Sequence, residues 1–238
     1  MKHTIAFYLT LCTFVLATYG QNYTPFFSGS ESIHLEKVLP PPPSLTDARY
    51  HDDWCRYQWG LSVRDSERGR LAREDAFLSP AYFMKRFSPA VERELSVECY
   101  PVLADLMARA HATEWSNNSS VKHYYHRARP YQQYDDTTMV PEHMNLKDST
   151  SYPSGHTMAS WLEGMILSVI DPDHTESIMQ VAYELGQSRV IAGFHYQSDV
   201  DAGRVAASIL FARLCSNNEY LSLLEKAKEE YLRNGSSR

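Results

Sequence analysis

From Thr46 onward, apolar and aromatic residues recur at intervals of three and four. Tyr50, Trp54, Tyr57 and Leu61 follow i, i+4, i+7, i+11 spacing, which puts them on one face of a helix. Leu95, Cys99, Leu103, Leu106 and Met107 repeat the pattern downstream, so the stretch 88–115 reads as helix. Further helices are predicted over 157–170, 175–191 and 197–214. The charged segment 218–233 reads as an amphipathic surface helix with Lys226 and Glu230 one turn apart. The charges from Arg64 to Asp75 read as solvated helix faces. No run of alternating β-branched residues suggests a sheet, and no internal repeat is visible. The pattern predicts an all-α, single-domain helical bundle over 46–238.

Two segments precede it. Residues 21–45 are polar and turn-rich and end in Pro40–Pro43, which forbid helix and favour an extended arm. That arm is either a spacer or a strap over the domain or a partner subunit, with Leu39 and Leu45 available to bury. Residues 1–20 carry Lys2, an apolar stretch from Ile5 to Ala17, then small Thr18 and Gly20. This is the layout of a secretory signal peptide cleaved near Gly20, which predicts a periplasmic or secreted protein. Cys12 invites a lipoprotein reading, but bulky Leu11 precedes it. A short core helix is the plain structural reading. No later segment approaches about 18 continuous apolar residues, so no membrane insertion is expected after the signal is removed.

Composition narrows the function classes. The 238 residues are 43% hydrophobic and 22% charged, which is globular rather than disordered. The net charge of −6 excludes a generic nucleic-acid binder, which needs a basic face. An anion site, if present, must be a local cluster. Beyond the signal, Cys55, Cys99 and Cys215 allow one disulfide with a spare thiol, and spacing does not choose the pair. The N-x-S/T sequons at Asn22, Asn117, Asn118 and Asn234 are read as chance matches.

Three stretches carry candidate chemistry. Lys122 and Arg129 lie seven residues apart, two turns on one helical face. Pro130 then disfavours helix at Arg129 and leaves it at a helix end. His123, His126 and Arg127 fall elsewhere and read as ordinary surface. Next, Pro153-Ser154-Gly155-His156 opens a helix: Ser154 is a plausible cap, and Gly155 allows an anion close to free amides at the positive end of the helix dipole. Finally, Ser188-Arg189 precedes His195 and Asp199, four residues apart, where a carboxylate can orient an imidazole. Taken alone, these read first as a basic helix end, a serine cap and a structural ion pair.

In order, K-x6-R-P, P-S-G-H and S-R-x5-H-x3-D resemble the signature of the phosphatidic-acid-phosphatase-type superfamily, shared with vanadium haloperoxidases. The flanks "SYPSGHT" and "ELGQSRVIAGFHYQSDVDAGR", with the proline-rich lead-in, resemble the secreted bacterial class A non-specific acid phosphatases, from about Leu39 to Leu232. Thr150 departs from the usual glycine outside the catalytic positions. The resemblance implies the helical acid phosphatase fold and metal-independent, cofactor-free hydrolysis of small phosphomonoesters, nucleotides included, with phosphotransfer to alcohols in some members. It implies His195 as nucleophile forming a phosphohistidine, Asp199 as its orienting partner and His156 as acid. Lys122, Arg129, Ser154, Gly155 and Arg189 would bind phosphate. It also implies a homodimer or higher homo-oligomer. Ser188 would brace rather than react, and Asp201, two residues past Asp199, should point away. The competing readings are a vanadium-dependent haloperoxidase, usually a much longer chain, and a non-catalytic phosphate-binding protein on the same scaffold. A membrane lipid phosphatase would need several spanning helices.

Overall fold

The structure, a computed structural model, describes residues 23–77, 79–147 and 150–235; the expected signal peptide lies outside the described residues. Among these are nine α-helices: α1 (Ala48–Ser62), α2 (Glu67–Glu74), α3 (Pro80–Phe87), α4 (Pro101–Tyr125), α5 (Pro130–Gln133), α6 (Gly155–Ile170), α7 (Thr175–Ile191), α8 (Gln197–Leu214) and α9 (Asn218–Gly235). Five short 3₁₀ turns accompany them, and there is no strand among the described residues. The all-α expectation holds. No helix among the described residues is long and apolar enough to cross a membrane.

The centre is α6, which is apolar around most of its circumference. Met158, Ala159, Leu162, Ile166, Leu167 and Ile170 are buried, and α4, α7, α8 and α9 pack around it. Helix starts follow side-chain chemistry: Asp47, Ser66, Ser79 and Ser154 each accept a backbone amide of the first turn, an arrangement worth about 1 kcal/mol per cap.

Two expectations need correction. The stretch 88–115 is not one helix: a 3₁₀ turn spans Ser88–Val91, Glu92 turns left-handed at φ 49°, and α4 starts only at Pro101. Proline lacks the amide that a continuing helix needs, so it suits a first turn. Glu230 does not decorate a solvated face either. It is buried, and its carboxylate accepts the amides of Val102 at 3.1 Å and Leu103 at 3.0 Å. It thereby places negative charge at the α4 N-terminus, whose amides have no partner within the helix.

The N-terminal arm is laid on its own chain. Phe26, Phe27, Leu35 and Leu39 join the main core, whereas Leu45 is 68% exposed. Arg109, Thr113 and Asn117, at i, i+4 and i+8 on α4, receive the arm. Arg109 Nε donates to the Thr24 carbonyl (2.9 Å), the Phe26 amide to Thr113 Oγ1 (2.9 Å), and the Ile33 amide to Asn117 Oδ1 (2.7 Å). Asn117 and Asn118 are buried, so neither sequon has room for a glycan. Cys55, Cys99 and Cys215 are free and exposed.

Because Phe27 is 3% exposed, Phe27→Ala should destabilise the protein by about 3–5 kcal/mol. A urea titration reads this as a lowered midpoint with unchanged slope; an unchanged midpoint would exclude the arm from the cooperative unit.

Candidate active site

Four segments deliver six of the eight predicted residues to one cavity, with Ser154 and Asp199 behind its wall. Lys122 lies in the last turn of α4, which stops at Tyr125 because His126 takes a left-handed φ of 48°. Arg129 follows in extended geometry (φ −78°, ψ 158°), as the residue before a proline must. Lys122 and Arg129 therefore do not share a continuous helical face; the helix ends between them, and the arginine approaches from a loop. After α7, Gly193 adopts φ +85°, and a Cβ there would lie 2.5 Å from Arg64 Nη2. That turn lets the amides of Phe194 and His195 both donate to the Arg189 carbonyl (3.0 and 3.3 Å), fixing Arg189 and His195 to each other.

The cavity encloses about 370 Å³ and is lined by Lys122, Arg129, Gly155, His156, Arg189 and His195, among others. Lys122 Nζ donates to the carbonyls of Thr150 and Pro153, each at 2.7 Å, and so sits against the loop that feeds α6. At Gly155 a Cβ would meet Asn118 Nδ2 at 2.8 Å, Glu114 Oε1 at 3.5 Å and Lys122 Cε at 3.9 Å, so the helix start can be bare only with glycine. Ser154 is buried beneath it as the cap, accepting from Thr157 Oγ1 at 2.9 Å, and does not line the cavity.

Arg189 is 4% exposed and its guanidinium lies 4.5 Å from the Phe194 ring centroid. Its Nε and Nη1 have no hydrogen-bond partner among the described residues. Burial, then the neighbouring Arg129, pulls the guanidinium down to about 9, which leaves it charged at neutral and acid pH. A buried cation with idle donors is costly unless an anion completes it.

His195 Nε2 lies 3.1 Å from Arg129 Nη1, and Nδ1 lies 3.3 Å from Asp199 Oδ2. A guanidinium can only donate, so Nε2 carries the lone pair and Nδ1 the proton. Burial and Arg129 push His195 down to about 3, against the opposing pull of Asp199, and the imidazole is neutral. Asp199 sits in the first turn of α8, where its Oδ2 also accepts the Tyr196 amide (3.0 Å) and the Ser151 hydroxyl (2.6 Å). Burial favours its neutral acid, but Arg127, His195 and Ser151 outweigh burial and hold the carboxyl below the usual range. His156 opens onto the same cavity with Nε2 3.4 Å from the Ala76 carbonyl; burial, then Arg189 and His195, depress it well below a normal histidine.

Ser188 donates to Asp75 (2.5 Å) and accepts from Arg68 (3.0 Å), bracing α7 against α2. Asp201 turns away to Gln197 and Arg204. Sequence reasoning missed Arg127, whose Nη1 reaches Asp199 Oδ1 at 2.6 Å and whose Nη2 reaches buried Asp53 at 2.7 Å, over the Tyr196 ring. Asp53 in turn accepts the amide and hydroxyl of Ser198 (2.7 and 2.6 Å) at the start of α8. It also missed buried His111, Glu114 and Glu163 beside the cavity. The one available signal was compositional: acids and a histidine within otherwise apolar helices.

Similarity to known proteins agrees with this geometry. The PAP2 superfamily model matches residues 103–221. The non-specific acid phosphatase of Salmonella typhimurium is 36% identical over 233 residues, covering 95% of this chain and 91% of that protein. The non-specific acid phosphatase of Providencia stuartii is 36% identical over 209 residues, 87% and 84% of the two chains. The acid phosphatase of Zymomonas mobilis is 33% identical over 207 residues, 85% and 78%. In fold, the chain is similar to the crystal structure of a transmembrane PAP2-type phosphatidylglycerolphosphate phosphatase from Bacillus subtilis. The TM-score is 0.51 at 21% identity, over 74% of this chain and 88% of that one. With the ordered motifs converging on one cavity and these relatives spanning most of the chain, the protein belongs to the PAP2 superfamily and, within it, to the non-specific acid phosphatases.

Proposed function

We propose that the cavity binds the phosphoryl group of small phosphomonoesters, nucleotides among them, and that His195 takes it in a covalent step. The observation that carries this reading is Arg189: a buried guanidinium with two idle donors, facing a cavity shared with Arg129, Lys122 and the bare start of α6. Such a cluster on an acidic chain matches a dianion with three equatorial oxygens, which needs positioning and charge stabilisation more than covalent help. An arginine fork satisfies two of those oxygens at once.

The neutral His195, with its lone pair on Nε2, is the nucleophile. Nε2 attacks phosphorus as the bond to the ester oxygen breaks, and the alkoxide leaves with a proton from His156. Water then attacks the phosphohistidine, giving its proton to His156, and phosphate departs. An alcohol in place of that water gives phosphotransfer. The roles need a protonated His156, which burial first and then the neighbouring Arg189 disfavour. A bound phosphoryl dianion offsets the cations and, lying beside the ring, favours its charged form. A His195 that stays neutral down to about pH 3 keeps its lone pair at acid pH, which suits an acid phosphatase.

Export to the periplasm or beyond is supported by the basic, apolar and small-residue order of the first 20 residues. The homo-oligomer rests on family resemblance, because the arm is spent on its own α4.

The decisive experiment is His195→Ala: turnover should fall at least about a thousandfold, with no acid-quenched phosphoenzyme. Labelled phosphoenzyme in that variant would assign the nucleophile elsewhere. His156→Ala should cost alkyl phosphates at least about a hundredfold but aryl phosphates far less, because a good leaving group needs no proton. Equal losses would remove His156 as the acid. Arg127→Ala removes the cation that shares Asp199, so His195 should gain proton affinity. The acid limb of the kcat/KM profile should then move to higher pH, with Arg127→Lys moving it less; an unshifted limb would make Arg127 purely structural.

A further inference from the structure

Against one side of the cavity stands a group that a phosphate site has no evident use for. Glu114 lines the cavity and is 1% exposed. Its Oε1 accepts from Asn118 Nδ2 at 2.8 Å and lies 3.5 Å from the point a Gly155 Cβ would take, at the N-terminus of α6. Lys122 Cε lies within 4 Å of the same point. A carboxylate there faces the positive groups assigned to the phosphoryl oxygens.

We propose that Glu114 is a specificity-determining residue: protonated, it leaves the helix start and Lys122 to the phosphoryl group and can donate to it, whereas ionised, it stands in the cavity as a competing anion. The site would thus take phosphomonoesters in acid and refuse them as the solution becomes alkaline, by a group separate from the nucleophile and the acid. This rests on the phosphoryl-binding reading above.

The surroundings fit such a titration. On its own helix Glu114 faces His111, Asn118 and Lys122; from α6 it faces Glu163, itself 1% exposed and 3.9 Å from His111 Nδ1. Arg129 and Arg189, with His123, His143, His156 and His195, are the other charged and titratable groups of the lining. Burial lifts Glu114 to about 7, with Glu163 adding to the rise, while His111 and Lys122 oppose it. Burial raises Glu163 as well. The protonated form therefore prevails below about pH 7, and the ionised form above it. A bound anion adds negative charge beside Glu114 and lifts it further, which is the linkage the proposal requires.

The test uses sulfate, a dianion throughout the range, so that only the protein titrates. Its inhibition constant against aryl phosphate hydrolysis is measured from about pH 5 to pH 8 in the wild type and Glu114→Gln. If binding needs the protonated acid, the wild-type constant should weaken about tenfold one pH unit above the midpoint. In Glu114→Gln, which keeps a carbonyl for Asn118, the additional weakening should disappear and sulfate should still bind at pH 8. Should Glu114→Gln not fold, calorimetry of sulfate binding to the wild type at pH 8 in two buffers of different ionisation enthalpy tests the idea independently, because binding should take up about one proton. Superimposable profiles for the wild type and Glu114→Gln, or sulfate binding to the wild type without proton uptake, would overturn the proposal. A wild type that binds no sulfate at any pH would instead overturn the phosphoryl-binding reading.

Discussion

Four groups from two loops and a helix start close on the two buried oxygens of Asp199: the His195 imidazole, the Tyr196 amide, the Ser151 hydroxyl and the Arg127 guanidinium. A buried carboxylate costs several kcal/mol unless its lone pairs are filled. Each of these segments is therefore held by the same requirement. Satisfying it brings the loop after α4 against the start of α8 and ties the loop before α6 to both. The Ser154 amide, which donates to the Asp199 carbonyl at 3.0 Å, extends the connection to the cap of α6. The positions of His195, the start of α6 and Arg127 follow from one carboxylate and its own backbone.

Charge is arranged in two compartments around that carboxylate. Behind the imidazole, Asp53, Arg127 and Asp199 alternate, the one guanidinium shared between the two carboxyl groups. In front of it, Lys122, Arg129 and Arg189 face a common space. The rear compartment limits how strongly Asp199 can attract a proton onto His195, and the front one repels it. Burial disfavours the charged ring first and both compartments act in the same direction, so an acid–histidine pair that in isolation favours the imidazolium here holds a neutral ring. Preorganised charge of this kind needs no rearrangement when the substrate arrives.

Much of the helical frame was legible from spacing. The predicted spans 175–191 and 197–214 match α7 and α8, and Ser154 caps α6 where a Pro-Ser-Gly turn meets an apolar run. The motif residues were legible because their order and spacing are specific. What failed were relationships between distant segments. Periodicity across 88–115 ignored the turn at Glu92, and two turns of spacing between Lys122 and Arg129 ignored the left-handed residue at His126. Arg127 resembled its basic neighbours in the chain; only the fold brings it between Asp199 and Asp53, 72 and 74 positions away. Glu230 and Glu114 share that difficulty. A glutamate in a helix reads as solvated until a second helix is known to cover it.

The arm along α4 has a consequence for how the chain can be processed. Its anchors begin at the Thr24 carbonyl and continue with Phe26 and Phe27 in the core, on the same helix that carries Lys122 into the cavity. Removal of a leader before Tyr23 leaves every one of these contacts in place. A cut only a few residues later strips two aromatic side chains from the interior and exposes the Arg109–Thr113–Asn117 stripe. The permissible length of a removable N-terminal piece is thereby written into the hydrophobic core, and a trimming protease that overshoots it would leave a chain with an open seam along α4.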